Sequence, residues 1–317
     1  MKIPMSQKVI VVAGPTASGK TALGISLARA LGGEIVSADS MQIYRRMEIG
    51  TAKATPEERA QVPHHMLDVA DPSEDYSVAR YVEDAASCCE DIFSRGKIPV
   101  LVGGTGLYID SLLSGRDFGA REEDLSLRAA LNARYDALGG EALLAELRTF
   151  DPSRAALLHP ADKKRIVRAI EVYRLSGETI TEHDEKTRLL PPRYESVFVI
   201  PGFRDRAALY ARIDRRVDLM LRLGLVEEVR SLLASGVPAS ATSMQAIGYK
   251  EIVSALRGEF SLEDAVEQIK LSSRRYAKRQ LTWFARRTDA CRVFHDDPGG
   301  TDAVYSSALL YCKEHLP

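Results

Sequence analysis

Residues 14–21 read GPTASGKT, and no other stretch constrains this chain of 317 residues as much. They fit G-x-x-x-x-G-K-[ST], and the neighbouring sequence is what that motif requires. The apolar run 9–13 predicts a buried parallel strand. Residues 22–31 carry Leu23, Leu27 and Leu31 at helical spacing and stop at Gly32-Gly33. A strand, a glycine loop and a helix N-terminus together make an anion cradle. Gly14 and Gly19 let the backbone curl so that successive N–H groups turn inward, and the helix end adds partial positive charge. Lys20 brings a full charge to terminal phosphate oxygens, and Thr21 offers a hydroxyl to Mg²⁺. Gly14, Pro15, Thr16, Ala17, Ser18, Gly19, Lys20 and Thr21 are therefore the expected binding site for a di- or triphosphate. By motif alone, ATP is among the candidates.

Past the loop, residues 34–37 read as a strand ending at Asp39-Ser40, 76–95 as an amphipathic helix, and 98–102 as a strand breaking at Gly103-Gly104. A further helix runs from about 105 to 115. Strands and helices alternating over short links predict a parallel sheet with helices on both faces. The expected class is α/β, a P-loop NTPase-like sheet. Residues 116–192 change rhythm: helices at 125–138, 141–150, 153–159 and 161–175, with no strand, read as an all-helical insertion. The core is then 1–115 and 193–317. It resumes with a strand at 193–200 stopped by Pro201, helices at 207–234, 244–257 and 262–286, a strand at 291–295 and a last helix.

The formal net charge of −1 means that any polyanion must be held by a local basic surface rather than by the whole molecule. Such surfaces are present. Residues 270–292 carry Lys270, Arg274, Arg275, Lys278, Arg279, Arg286, Arg287 and Arg292 against Asp289, and Lys163, Lys164, Arg165 and Arg168 form a second cluster. A charged helix is commonly a solvated face. Interleaved Tyr276, Trp283 and Phe284 suit RNA backbone contact with base stacking equally well. Four cysteines without C-x-x-C spacing, no signal segment and no apolar run of membrane length point to a cytoplasmic protein. With no symmetric apolar face in the sequence, a monomer without an obligate protein partner is expected.

Ligands of open parallel sheets sit at the carboxyl ends of the strands, so residues 14–21, Asp39 and Thr105 should meet in one crevice. For Asp39, holding a metal, acting as general base and capping a helix all remain open. Thr105 reads as a helix N-cap whose hydroxyl could also reach a phosphate. His64-His65 lacks a third ligand at metal spacing, which favours packing or a hydrogen bond to Asp68. His159 reads as structural.

The chain resembles the bacterial tRNA dimethylallyltransferases. The matching segments are GPTASGKT (14–21), SADSMQIYRRMEIGTAK (37–53), PHHMLD (63–68), LVGGTGLY (101–108), HPADKKRIVRAIEV (159–172), LYARID (209–214), GLVEEV (224–229), SMQAIGYKE (243–251) and AKRQLTWF (277–284). The resemblance implies dimethylallyl diphosphate as donor with pyrophosphate leaving, Mg²⁺ as cofactor, and prenylation of the adenosine 3′ of the anticodon. It implies Asp39 as general base, Thr105 beside the base and diphosphate, and Arg128 as a diphosphate ligand. It places tRNA contacts for the anticodon stem-loop at Asp39, Ser40, Met41, Gln42, Lys164, Arg165, Ile166, Val167, Arg168, Gln245, Gly248, Tyr249, Lys250, Lys278, Arg279, Gln280 and Trp283. Two departures stand out: Ala285 where relatives carry Arg, and Arg46 where Gly or Lys is common. The absence of a zinc-finger extension suits the bacterial type. Rival readings are a P-loop small-molecule kinase, an adenylate isopentenyltransferase, and an RNA-binding protein with a vestigial loop.

Overall fold

A computed structural model describes residues 7–115 and 124–316. The chain forms two compact units, Met1–Leu113 with Tyr194–Pro317, and Ser114–Arg193. The expected insertion boundary at 116 lies outside the described residues.

The first unit begins with β1 (Lys8–Ala13), α1 (Lys20–Leu31), β2 (Glu34–Ser37), α2 (Pro56–Arg59), β3 (His64–His65), α3 (Val78–Ser94), β4 (Pro99–Gly103) and α4 (Gly106–Leu113). The second unit is helical: α5 (Leu125–Leu138), α6 (Gly140–Phe150), α7 (Pro152–Ala156), α8 (Lys163–Ser176) and α9 (Ile180–Arg188). The first unit then resumes with β5 (Glu195–Gly202), α10 (Arg206–Arg222), α11 (Leu225–Ala234), a 3₁₀ turn at Ser243–Gln245, α12 (Tyr249–Leu256), α13 (Leu262–Phe284), β6 (Cys291–Phe294) and α14 (Gly300–His315).

The sheet is parallel throughout, in the order β3-β2-β4-β1-β5-β6. β2 and β4 are buried along their whole length and β1 at every position after Lys8, because helices cover both faces. Ile10, Val12, Val100 and Val199 pack with Leu23 and Leu27 of α1 and Val304 and Ala308 of α14. The chain leaves β1 towards β2 on one side and later returns to β5 on the other, so the order reverses at β1, where a ligand crevice is expected. Register sharpens this point. Ala13 lies opposite Gly103, and Val102 opposite Ser37, so the loops after β1, β4 and β2 start side by side.

Three expectations are corrected, and one helix is added. The helix expected over 207–234 is two, α10 and α11, because Gly224 takes φ 102° and ends the first. The helix expected over 244–257 is a 3₁₀ turn and α12, separated by a turn through Gly248, which takes φ 99°. Pro201 does not stop β5, which pairs on to Gly202 beside β6. α9, unforeseen, starts with Thr179 and Glu182 capping one another, a T-x-x-E signature present in the sequence.

Candidate active site

The phosphate loop leaves β1 and enters α1 through Gly19, at φ 84°. A Cβ on Gly19 would lie 2.9 Å from His295 Nε2, so this position excludes larger residues both by conformation and by space. His295 Nε2 bonds the Ser18 carbonyl at 3.0 Å, and since a carbonyl can only accept, Nε2 carries the proton. Turning that carbonyl towards His295 turns the Gly19 N–H of the same peptide the other way. Among the described residues no acceptor engages the N–H groups of Gly19, Lys20 or Thr21, and Ser18 Oγ is buried without a partner. These are the donors an anion would occupy.

Lys20, Thr21, Asp39 and Arg216 line one pocket of about 400 Å³. Lys20 Nζ folds back onto the Pro15 carbonyl at 2.6 Å. Desolvation first, and the neighbouring Arg216 second, pull its pKa down to about 7, with Asp39 opposing. Arg216 is itself held below the ordinary arginine value by desolvation, against the pull of Asp39. Lys20, Arg216, Lys250 and Arg279 line the pocket with one carboxylate, Asp39, which leaves it short of negative charge. Arg216 sits on α10 with Ile213, Val217 and Met220, which line the same pocket at helical spacing.

Asp39 follows β2. Its Oδ1 accepts the N–H groups of Met41 (2.9 Å) and Gln42 (3.4 Å), so capping its own turn and facing the pocket are combined in one side chain. Gln42 bonds the carbonyls of Thr51 and Ala52. Thr105 precedes α4, but its hydroxyl accepts the Ser40 N–H at 3.0 Å instead of capping that helix. It ties β4 to the Asp39 loop and is not among the residues lining the pocket. Burial, then Asp39, push the Tyr276 hydroxyl up to about 12, with Thr105, Arg279 and Gln280 opposing.

Gln280 is 5% exposed, with its amide committed to protein backbone: Oε1 takes the Thr16 N–H at 2.8 Å and Nε2 donates to the Gly104 carbonyl at 3.0 Å. It is a strut between the phosphate loop and the turn after β4, and it also lines the pocket. Tyr249 is likewise buried, its hydroxyl on Glu228. Ile166 and Val167 belong to the core of the helical unit, because they fall on the inner face of α8. Lys164 and Arg165 are exposed, and Arg168 pairs with buried Glu171. Arg128 also bonds Glu171, at 2.9 Å. Gln245, Gly248 and Lys250 line the pocket. On α13, Lys278 and Arg279 are exposed, whereas Lys270 and Arg274 are paired with Asp218 and Asp214 on α10. Trp283 donates to Asp110 and is 37% exposed. His65 bonds Glu34 and His64 the Val62 carbonyl, while Asp68 takes Lys53 and Arg59, so of the two expected roles, packing or a hydrogen bond to Asp68, the second is not made.

A family model described as IPP transferase matches residues 42–287, and one described as isopentenyl transferase matches 7–70. The tRNA dimethylallyltransferase of Thermoanaerobacter sp. (strain X514) is 45% identical over 98% of this chain and 99% of its own length. That of Acetivibrio thermocellus is 48% identical over 96% of each. The chain belongs to the tRNA dimethylallyltransferase family. Among solved structures, the tRNA isopentenylpyrophosphate transferase of Bacillus halodurans superposes with a TM-score of 0.71 at 39% identity, covering 97% of this chain and 96% of that one. A eukaryotic dimethylallyltransferase, described as acting on tRNA, gives 0.78 at 31% identity, over 91% of this chain and 74% of its own.

The sequence had not singled out Arg216, His295 or Gln280 for the phosphate end. For Arg216 a signal existed, because a charged residue inside the stripe Ile213–Val217–Met220 is out of place on a merely solvated face. His295 and Gln280 reach the loop from 277 and 264 residues away and left no local trace.

Proposed function

We propose that this protein transfers the dimethylallyl group of dimethylallyl diphosphate to N6 of the adenosine 3′ of the anticodon in tRNA, releasing pyrophosphate. The observation that carries the reading is one pocket holding Lys20, Thr21 and Arg216 together with Asp39. The N–H groups of the phosphate loop, Lys20 and Arg216 take the diphosphate and stabilise the charge that develops as the allylic C–O bond breaks. N6 attacks the allylic carbon, Asp39 accepts the N6 proton through the oxygen not used in its turn, and pyrophosphate departs with the bonding pair. Thr105 acts one step back, by holding Ser40 and so the Asp39 turn. The Thr21 hydroxyl suits Mg²⁺, a cation usually held by one or two protein oxygens and the phosphates of its substrate. Bound there, it would spread the charge of the leaving group.

The adenine has to leave its stack to enter the pocket. Exposed Lys278 and Arg279, with Lys164 and Arg165 on the helical unit, suit the RNA backbone, and a tRNA substrate puts the work in the cytoplasm. A phosphoryl-transfer reading is weaker, because β4 ends in Gly103-Gly104 where a magnesium carboxylate would be needed.

The test is incubation of tRNA with the protein, labelled dimethylallyl diphosphate and Mg²⁺ without ATP, followed by nucleoside mass spectrometry. Prenylated adenosine is expected, and a strict ATP requirement would favour the kinase. In single turnover, Asp39→Ala should slow transfer by about 100-fold or more. A rate near wild type would remove Asp39 from the chemistry.

A further inference from the structure

Glu228 on α11 has no part in the chemistry above, yet its carboxylate is saturated. Oε2 accepts the N–H groups of Glu48 (2.9 Å) and Ile49 (2.8 Å), and Oε1 accepts those of Gly50 (3.1 Å) and the Tyr249 hydroxyl (2.5 Å). Three consecutive backbone N–H groups converging on one anion make a nest. Here the anion is the protein's own, contributed from about 180 residues further along the chain. Space is fixed as well: a Cβ on Gly50 would lie 2.3 Å from the Tyr249 ring.

The latched segment continues into the site. Gly50, Thr51 and Ala52 line the pocket, and the carbonyls of Thr51 and Ala52 receive Gln42 Nε2 at 3.2 and 3.3 Å. The Gln42 and Met41 N–H groups in turn hold Asp39 Oδ1. A continuous series of hydrogen bonds thus runs from α11 to the carboxylate of the site. Arg46 and Ala52 flank the nest at φ 65° and 46°, conformations that non-glycine residues keep only where their surroundings impose them.

We propose that Glu228 is a positioning residue, a latch that fixes the pocket wall at 48–52 and, through Gln42, the place of Asp39 opposite the base. The role in transfer rests on the function proposed above. The latch needs the ionised carboxylate. A glutamine has one acceptor oxygen and turns two N–H donors towards groups that are themselves donors.

Glu228→Gln and Tyr249→Phe in the full chain test this by amide hydrogen exchange, binding of inorganic pyrophosphate and single-turnover transfer to tRNA. In Glu228→Gln, exchange at 48–50 should accelerate about tenfold or more, the factor for losing a hydrogen bond to a charged group. Transfer should slow by roughly ten- to 100-fold, as for a misplaced catalytic group. Pyrophosphate affinity should stay near that of the wild type. Tyr249→Phe, which removes one bond of four, should shift exchange and rate the same way by less, and carries the test if Glu228→Gln does not fold. Unchanged exchange would overturn the latch. Faster exchange with an unchanged rate would overturn its positioning role, as would a rate that falls in step with pyrophosphate binding. If wild-type protein transfers no prenyl group, the functional reading fails by itself and the exchange data still decide the latch.

Discussion

Lys20 is the side chain whose chemistry depends most on its neighbours. Below about pH 7 its ammonium is charged, and above that the protein alone prefers it neutral, because burial and Arg216 outweigh Asp39. An anion favours the charged form, so above the break a proton has to be taken up on binding. Affinity for inorganic pyrophosphate should therefore gain an added weakening above about pH 7, of up to about tenfold per pH unit from this group. Arg216→Met removes the second cause of the depression. It should weaken binding at acid pH and move the break upward. Titration calorimetry of both proteins across pH checks this, since the ligand's own ionisation is common to the two, and a break that ignores Arg216 would take it out of the phosphate end. Lys20 and Asp39 were legible in the sequence because a motif and a strand end announce them. No motif announces Arg216, whose one signal is its place inside the stripe Ile213–Val217–Met220 of a helix written RIDRRVDLM.

Gly103 shows what the sheet demands at the scale of elements. A Cβ there would lie 2.1 Å from the Ala38 carbonyl oxygen and 2.3 Å from its carbon, so the ends of β4 and β2 meet backbone to backbone. No rotamer relieves such a contact. Gly103→Ala should cost about 3 kcal/mol, read as a lower urea midpoint at unchanged m. Gly32→Ala serves as the reference. Gly32 ends α1 at φ 66° with nothing within 4 Å of its absent Cβ, so only conformation is at stake, about 1 kcal/mol. Equal losses at the two sites would mean that the strand ends can part. The strands were readable because β1 and β4 carry the apolar runs VIVVA and PVLV, each ending at glycine, and the short β2, EIVS, follows Gly32-Gly33. Helix boundaries were less so. Gly224 and Gly248 interrupt apolar periodicity that continues past them, and a 3.6-residue pattern does not register a single residue of unusual φ.

At the scale of the whole molecule the balance of charge is the informative quantity. A net charge of −1 gives no general attraction for RNA, so a tRNA substrate has to be held where basic side chains are left over from the protein's own pairing. The sequence showed residues 270–292 as basic and could not sort them, because the acids that neutralise some of them lie on α10, remote in the chain. Lys270 pairs with Asp218 at 2.9 Å and Arg274 with Asp214 at 2.6 Å, while Lys278 and Arg279 are exposed with no ion pair among the described residues. Each side chain that neutralises an RNA phosphate releases about 0.7–0.9 of a counterion, so losing both Lys278 and Arg279 should flatten the slope of log K against log salt by about 1.5. Lys270→Ala removes the same formal charge from the same helix but one already balanced, and should leave the slope nearly unchanged. Filter binding of unmodified tRNA from low to moderate salt separates the two variants. Similar slopes for both would mean that α13 acts on RNA through its total charge and not through the residues the fold leaves unpaired.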